Sequence, residues 1–312
     1  MNMNRTPLLE FDPAFLAEET RCGFTIPEKM KRVWATELEM LSEVDRVCRK
    51  YELTYFADWG TMLGAVRHNG FIPWDDDIDL CMPRTDYLQL LRILPDELPE
   101  YIQKSVHAPQ PRAKLFTSIM NADCPSLDES RLARYYGNPF VSGLDIFPVD
   151  VIEDWEKGGE NQLLLYSIAY DAAGHYEEHK KEGSLEHYLK KIEELTRVRL
   201  RRDGSERIQL VRLCERLAGL YAGDTEGRQN VTEFWRLATM TRGFILQRGW
   251  YASAVEFPFE SLTIPVPCGY RDILTAMYGE DYMTFKQGGF GSGHEYPYYR
   301  KQEEWLNGQN ML

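Results

Sequence analysis

Apolar positions recur with helical spacing early in the chain and in short, strand-like runs further on. Between residues 27 and 51 they fall three or four positions apart, which predicts an amphipathic helix. Short apolar runs predict strands at 53–57, 77–82, 114–120, 144–149 and 262–266. Further helices are expected at 64–66, 85–94 and 270–278. This order predicts an α/β (α+β) fold, a small mixed sheet flanked by helices.

The middle of the chain has a different character, because long charged amphipathic stretches replace the short apolar runs. These stretches predict helices at about 160–182, 185–202, 206–222 and 229–246. We therefore expect a catalytic core with an N-terminal helix at 1–158 and a helical insertion or subdomain at 159–249. Residues 250–312 would complete the core and carry a loop rich in Gly and Tyr over the site.

Composition narrows the class of protein. The 312 residues are 43% hydrophobic, enough for a packed core, and the net charge of −13 disfavours nucleic acid as a partner. The six cysteines are scattered without a CxxC pair, which argues against a zinc site and a disulfide framework. The N-terminus lacks the features of a signal peptide, and no apolar run reaches 18 residues. A cytoplasmic protein without a transmembrane segment is expected.

Acidic residues follow an apolar segment and then enter a predicted strand. Asp75, Asp76, Asp77 and Asp79 crowd four carboxylates into five positions, which is costly unless a cation is bound. Side chains alternate along a strand, so Asp77 and Asp79 are expected on one face. Two carboxylates at a strand end favour a divalent metal site, with Mg²⁺ as the natural ion and Mn²⁺ as the alternative.

A second carboxylate, Asp145, lies inside the apolar run 143–150. A buried Asp without a partner is rare, so Asp145 is expected to pair with a cation or to bind the same metal ions. A core Asp that caps a backbone turn is the alternative.

Candidate phosphate contacts are spread along the chain. Gly60 and Thr61 follow a predicted strand about 17 residues before the Asp-x-Asp segment, which is the layout of the nucleotidyltransferase superfamily, where a small turn lets backbone N–H groups approach phosphate. Arg67 and Lys114 are candidates to pair with a diphosphate. His294, in the tail rich in glycine, is a candidate for contact with a phosphate or an acceptor.

Two other groups of residues are weighed against simpler roles. His175 and His179 are four residues apart with Glu178 beside them, but no HExxH pattern is present, so a polar helical face is the better interpretation. A quaternary ammonium would be held by aromatic ring faces. The chain offers several such rings without distinguishing among them, namely Trp59, Trp74, Tyr135, Tyr136 and the cluster at 296–299.

The stretch GTMLGAVRHNGFIPWDDDIDL at 60–80, followed by MPR and DY, resembles the signature of the LicD family of phosphocholine transferases, which includes the fukutin-type proteins. AKLFTS at 113–118, GLDIFPVD at 143–150 and YGEDYM at 278–283 also resemble family segments. The resemblance is dense at 58–90, patchy to 150, recognisable again at 262–294 and absent from the helical region.

The resemblance implies a nucleotidyltransferase-like fold, a divalent metal ion and a defined reaction. Phosphocholine, or a related phospho-substituent, would move from a CDP-linked donor such as CDP-choline to a sugar hydroxyl of a carrier-linked glycan, a lipopolysaccharide or teichoic acid precursor, releasing CMP. Carried over to this sequence, Asp77 and Asp79 become metal ligands and Asp145 the third catalytic carboxylate, as a metal ligand or a general base.

Two other functions remain open from the sequence. A true nucleotidyltransferase would use the same carboxylates for attack at the phosphorus nearest the nucleoside, leaving a nucleotide on its acceptor and releasing pyrophosphate. A non-catalytic glycan-binding scaffold would keep the fold without turnover.

Overall fold

The computed structural model describes residues 7–239, 244–285 and 299–309. The helices within these ranges are α1 (Pro13–Leu16), α2 (Glu28–Lys50), α3 (Trp59–His68), α4 (Arg84–Glu97), α5 (Glu129–Arg134), α6 (Gly159–Gly174), α7 (Tyr176–Glu182), α8 (Leu185–Thr196), α9 (Glu206–Ala218), α10 (Phe234–Thr239), α11 (Tyr270–Tyr278) and α12 (Arg300–Gln309). The strands are β1 (Glu19–Arg21), β2 (Phe24–Ile26), β3 (Phe56–Ala57), β4 (Ile78–Pro83), β5 (Ile102–Lys104), β6 (Thr117–Met120), β7 (Gly143–Ile152), β8 (Asn230–Thr232), β9 (Leu246–Gln247), β10 (Ala254–Phe259) and β11 (Leu262–Pro267). None of these helices is long and apolar enough to cross a membrane.

A mixed sheet of seven strands forms the centre of the molecule. Five strands run in the order β3-β4-β7-β6-β5, and β8 joins the far end of β7 with β9 beside it. Within the described residues, β4 and β7 form the one parallel pair of this sheet, and its other neighbouring strands are antiparallel. This arrangement confirms the predicted α/β fold with a mixed sheet flanked by helices.

The two faces of the sheet are used differently. Ile78, Leu80 and Ile146 point to one face and join the main core, which includes the buried stripe of α2. The intervening positions point the other way, because side chains alternate along a strand. There Cys81 and Phe147 belong to a smaller apolar cluster. Asp79 and Asp145, two positions before them, lie on the same face. The carboxylates therefore lie opposite the main core, where β4 and β7 begin.

Helices α6 to α10 build a second core of their own. It contains apolar side chains from α6, α8, α9 and α10, and it is entered from the end of β7. The first three predicted helical stretches of this region contain α6 to α9, although the one predicted at 185–202 is helical only to Thr196. The prediction of one helix at 229–246 is wrong. That stretch contains β8, α10 and β9, since Val231 and Thr232 pair with β7. Strand pairing with the central sheet outweighs the helical spacing of the apolar residues.

Other predicted boundaries differ by a few residues. The helix predicted at 64–66 begins already at Trp59, where Asp58 accepts a hydrogen bond from the Trp59 N–H and caps the helix. The strand predicted at 114–120 is confined to β6, and the one at 53–57 to β3. Helices α2 and α11 match their predicted ranges closely.

Candidate active site

Asp79 and Asp145 lie side by side on the two parallel strands. They are register partners across β4 and β7, and Ser118 of β6 is the partner of Asp145 on its other side. Neighbouring strands are ~4.8 Å apart, so the two carboxylates share one small region of the sheet surface. The juxtaposition follows from the register of β4 against β7, which also places the apolar residues of both strands in one core.

Asp77 belongs to the turn before β4. The strand begins at Ile78, and Asp77 groups with Asp75 and Asp76, each of which places one carboxylate oxygen within 4.8 Å of those of the other two. Trp34 of α2 fixes this turn, since its indole N–H donates to the carbonyl oxygen of Asp75 at 2.9 Å. The acidic turn thus lies next to the two carboxylates of the strands.

The concentration of negative charge perturbs the buried acids. Burial raises the pKa of Asp79 well above its usual value, and the charges of Asp77 and Asp145 raise it further. Burial does the same for Glu37 of α2, reinforced by Asp76 and Asp77. Glu37 Oε2 is buried with no hydrogen-bond partner in the described ranges. A cluster of partly buried carboxylates beside an orphaned carboxylate oxygen fits a hard divalent cation.

Gly60 and Thr61 lie in the first turn of α3. The Thr61 hydroxyl accepts a hydrogen bond from the Asp79 N–H at 2.8 Å, and the Asp58 N–H donates to the Asp79 carbonyl at 2.9 Å. A Cβ atom on Gly60 would lie 2.3 Å from Asp75 Oδ2, so glycine lets the acidic turn approach the helix. The first turn of α3 is therefore tied to Asp79, with its backbone N–H groups at the end of the helix that favours anions.

Lys114 is brought to the carboxylates from the loop before β6. Its ammonium group donates to Asp145 Oδ1 at 3.3 Å and to the Ser118 hydroxyl. The Ser118 hydroxyl in turn donates to Asp145 Oδ1. Burial lowers the pKa of Lys114, and the charge of Asp145 opposes that shift. One cation predicted from the sequence thus lies in direct contact with the third carboxylate.

Arg67 is placed elsewhere. It lies in the last turn of α3, seven residues beyond Gly60 and so about 10 Å along the helix axis. Its guanidinium donates to the carbonyl oxygen of Tyr282 at 2.8 Å and to the ring of His68 at 2.9 Å. The structure does not bring Arg67 to the carboxylates, and its role as a diphosphate contact stays a prediction. His294 lies outside the described residues.

Arg236 of α10 was not among the residues selected from the sequence. It is 4% exposed, with Nε 2.8 Å from Glu233 Oε2, and its guanidinium lies over the ring of Trp59. Its Nη1 atom is buried without a hydrogen-bond partner among the residues described. Burial raises the pKa of Glu233 well above its usual value, and the nearby charge of Asp58 adds to this. A buried cation with an unused donor therefore borders the acidic site.

The aromatic residues proposed to hold a quaternary ammonium are mostly committed to other contacts. The ring of Trp59 is covered by Arg236 and stacks with Phe244 at a centroid distance of 5.7 Å. Tyr135 is buried, and the hydroxyl of Tyr136 donates to Glu39 at 2.6 Å. The chain's own guanidinium therefore covers a ring face of Trp59.

The sequence contained signals for some of the residues missed. Glu37 sits in the apolar stripe of α2, between Trp34 and Leu41 at helical spacing, where a charge needs a partner. Asp58 directly follows a strand, as Asp145 lies within one. Glu233 and Arg236 carried no local signal, because only the pairing of β8 with β7 brings α10 to this place.

Comparison with known proteins agrees with the resemblance found in the sequence. Residues 52–140 match the family model described as LicD/FKTN/FKRP, nucleotidyltransferase domain. Over this range the chain is therefore similar to a LicD-type nucleotidyltransferase domain. The matched range of the LicD-type domain contains Gly60, Thr61, Asp77, Asp79 and Lys114 and ends shortly before β7.

Two relatives illustrate the extent of this similarity. Lipopolysaccharide cholinephosphotransferase LicD of Haemophilus influenzae is 41% identical over 64 residues, 20% of this chain and 24% of that protein. An uncharacterized protein of Rickettsia prowazekii is 39% identical over 57 residues, 18% of this chain and 21% of that protein. The chain thus matches about a quarter or less of the length of these relatives, in keeping with a similarity concentrated in the LicD-type domain.

Proposed function

We propose that this protein is a metal-dependent transferase that moves phosphocholine, or a related phospho-substituent, from a CDP-linked donor to a sugar hydroxyl of a cell-surface glycan precursor, releasing CMP. The observation that carries the proposal is the contact of Lys114 with Asp145 beside Asp79, within and next to a LicD-type domain. The name of the Haemophilus influenzae relative, a cholinephosphotransferase, supports the choice of substituent.

Asp77, Asp79 and Asp145 are the residues we propose to hold Mg²⁺, or Mn²⁺ in its place. All three offer carboxylate oxygens, the ligands that these hard cations prefer, and the pKa of Asp79 is raised by burial and further by the charges of Asp77 and Asp145. When bound, the cation would neutralise the diphosphate of the donor and stabilise the departing CMP.

Asp145 has one oxygen already engaged. Both Ser118 and Lys114 donate to Oδ1, so within the described residues Oδ2 is the atom left to ligate the metal ion or to accept the proton of the sugar hydroxyl. In the transfer itself the hydroxyl oxygen attacks the distal phosphorus, the new P–O bond replaces the bond to the CMP oxygen, and the hydroxyl proton leaves to a base.

Cations and helix dipole would position the diphosphate. Lys114 can donate to a phosphate oxygen as well as to Asp145, because an ammonium group carries three donors. Arg236 has a buried donor without a partner in the described structure, and the N–H groups of Gly60 and Thr61 lie at the start of α3. Such fixed donors supply most of what phosphoryl transfer requires of a protein.

The experiment is a product assay with purified protein, Mg²⁺ and CDP-choline, run beside CDP-ethanolamine and CTP. CMP released with Mg²⁺ from CDP-choline and lost in Asp145→Asn supports the proposal, and the exposed Asp123→Asn is the matched control. Pyrophosphate from CTP, with the nucleotide left on an acceptor, would indicate a nucleotidyltransferase instead. Calorimetry provides a second readout, since absence of both turnover and Mg²⁺-dependent binding of CDP-choline would leave the glycan-binding scaffold.

We further propose that the helical segment 159–249 helps to select the acceptor. Its α10 brings Arg236 over the ring of Trp59 at the candidate site, and the same helix packs with α6 to α9 in the second core. Replacing α7 and α8 should change which glycans are modified and leave Mg²⁺ binding unchanged, as measured by product analysis and by calorimetry. Loss of Mg²⁺ binding would instead assign these helices to the catalytic core.

A further inference from the structure

A second group of metal-ligand side chains lies in the helical segment, on elements that carry none of the carboxylates described above. Asp171 of α6, His175 at the junction and His179 of α7 each place one ligand atom within 4.8 Å of the others. We call these three residues the His–Asp cluster. The third member of the group is Asp171, one helical turn before His175, rather than Glu178 beside His179.

The three residues share one side of a nearly continuous helix. Although α6 ends at Gly174, the His175 N–H donates to the Asp171 carbonyl at 2.9 Å, and the His179 N–H donates to the His175 carbonyl at 2.9 Å. Helical hydrogen bonds therefore continue through the junction. Residues four apart on a helix project from the same face, so the backbone itself brings the three side chains together.

The distances between the ligand atoms suit a small ion. His175 Nδ1 lies 3.0 Å from Asp171 Oδ1, and His179 Nε2 lies 3.9 Å from Asp171 Oδ2. Two ligands bound at about 2.1 Å to a tetrahedral ion are roughly 3.4 Å apart. The observed separations bracket that value, so small side-chain rotations would complete the site.

His179 is prepared for this role by its surroundings. Its side chain is only 12% exposed, and Nε2 is buried without a hydrogen-bond partner in the part of the chain that is described. Its Nδ1 lies 3.2 Å from the Ser184 hydroxyl, which itself donates to the His179 carbonyl and so can accept the Nδ1 proton. The Nε2 lone pair then faces Asp171, an arrangement that favours a cation between them. Metal-binding histidines characteristically anchor their second nitrogen in this way.

We infer that the His–Asp cluster binds a divalent transition-metal ion, of which Zn²⁺ fits best. Two imidazoles and a carboxylate are typical zinc ligands, and a water molecule can complete the tetrahedron. Mg²⁺ prefers oxygen ligands, so it would not compete at this place. The bound ion would join α6 to α7 and stiffen the junction at His175, independently of the proposed transfer reaction.

The test is calorimetric titration of the full chain with Zn²⁺ at neutral pH, in millimolar Mg²⁺ to saturate oxygen-ligand sites. We expect one Zn²⁺ per chain, and loss of this binding in His175→Ala and in His179→Ala. Ser184→Ala should bind about tenfold more weakly, because outer hydrogen-bond partners contribute on that scale. His187→Ala, which removes an exposed imidazole outside the cluster, is the matched control and should bind normally.

Two readouts make the result decisive. His175 is 55% exposed, so alanine there leaves the packing intact and its loss of binding cannot be attributed to unfolding. Co²⁺ in place of Zn²⁺ should give visible d–d absorption without a thiolate charge-transfer band. Absence of uptake by the wild type, unchanged uptake by His175→Ala, or a thiolate band that assigns the metal to cysteine would each overturn the inference.

Discussion

Replacing Asp79 by asparagine should stabilise the metal-free protein while removing its response to Mg²⁺. Asp79 and Asp145 are register partners on adjacent parallel strands, so their carboxylates are about 5 Å apart. At an effective dielectric constant of about 20, two such charges repel by about 3 kcal/mol. Asparagine removes this repulsion, and its amide can donate a hydrogen bond to Asp145.

The full repulsion will not be seen, because two features of the structure reduce it. The side chain of Asp145 is 32% exposed, and Lys114 lies 3.3 Å from its Oδ1 atom. Solvent screening and this cation leave a net gain of about 1 kcal/mol in the free energy of unfolding. In the wild type, bound Mg²⁺ should raise the free energy of unfolding by an amount that grows with the logarithm of its concentration relative to its Kd. The Asp79→Asn protein should gain no such stabilisation.

The assay is urea unfolding at pH 8, with EDTA and then with Mg²⁺, for wild type, Asp79→Asn and the control Asp123→Asn. Asp123 is 68% exposed, so its substitution should change neither curve. A metal-free Asp79→Asn protein that is less stable than wild type would show that Asp79 makes a stabilising contact instead. Equal stabilisation of both proteins by Mg²⁺ would remove Asp79 from the metal site.

Three further changes test other parts of the structure. Gly60→Ala should weaken Mg²⁺ binding about tenfold in a calorimetric titration, because the new Cβ displaces Asp75; unchanged affinity would contradict that approach. Arg236→Lys should raise the donor KM about tenfold, because lysine keeps the charge but loses the guanidinium donors, and an unaltered KM would exclude contact with donor. The hydrogen bond from Arg21 is the largest cause that lowers the pKa of Glu19 to about 2. A carboxylate whose pKa is lowered by folding stabilises the fold at every pH above its pKa in the unfolded chain. The wild type should therefore be more stable than Glu19→Gln by about 1 kcal/mol after screening, with a constant difference above pH ~5 that vanishes towards pH 2. A pH-independent difference in urea unfolding would contradict this reasoning.

The carboxylate pair was predictable because two local patterns agree. Asp79 alternates with apolar residues in a short strand, and Asp145 interrupts an apolar run. Each of these two patterns predicts a charged side chain at the edge of a core. Their contact depends on the parallel pairing of β4 with β7, which periodicity alone does not specify. The family resemblance supplied that missing step.

Other features depended on tertiary structure. Arg67 was a candidate diphosphate contact, but α3 places it at the end of the helix opposite to Gly60. Arg236 reaches the site from more than ninety residues beyond Asp145 through the return of the chain at β8. A position that depends on contacts so distant in sequence cannot be predicted from the hydrophobic periodicity around the residue itself.

The pairing of β7 with β8 also has an evolutionary consequence. Ile152 and Asn230 are register partners on antiparallel strands, so the whole excursion between them leaves and rejoins the sheet at neighbouring positions. A two-residue Asn-Gly turn could join the same two strands as a β-hairpin. Phe234 and Leu237 would then lose the apolar neighbours that the excursion provides, which would reduce stability. A lineage can therefore lengthen, shorten or exchange this segment while the strand register that sets Asp145 beside Asp79 is inherited intact.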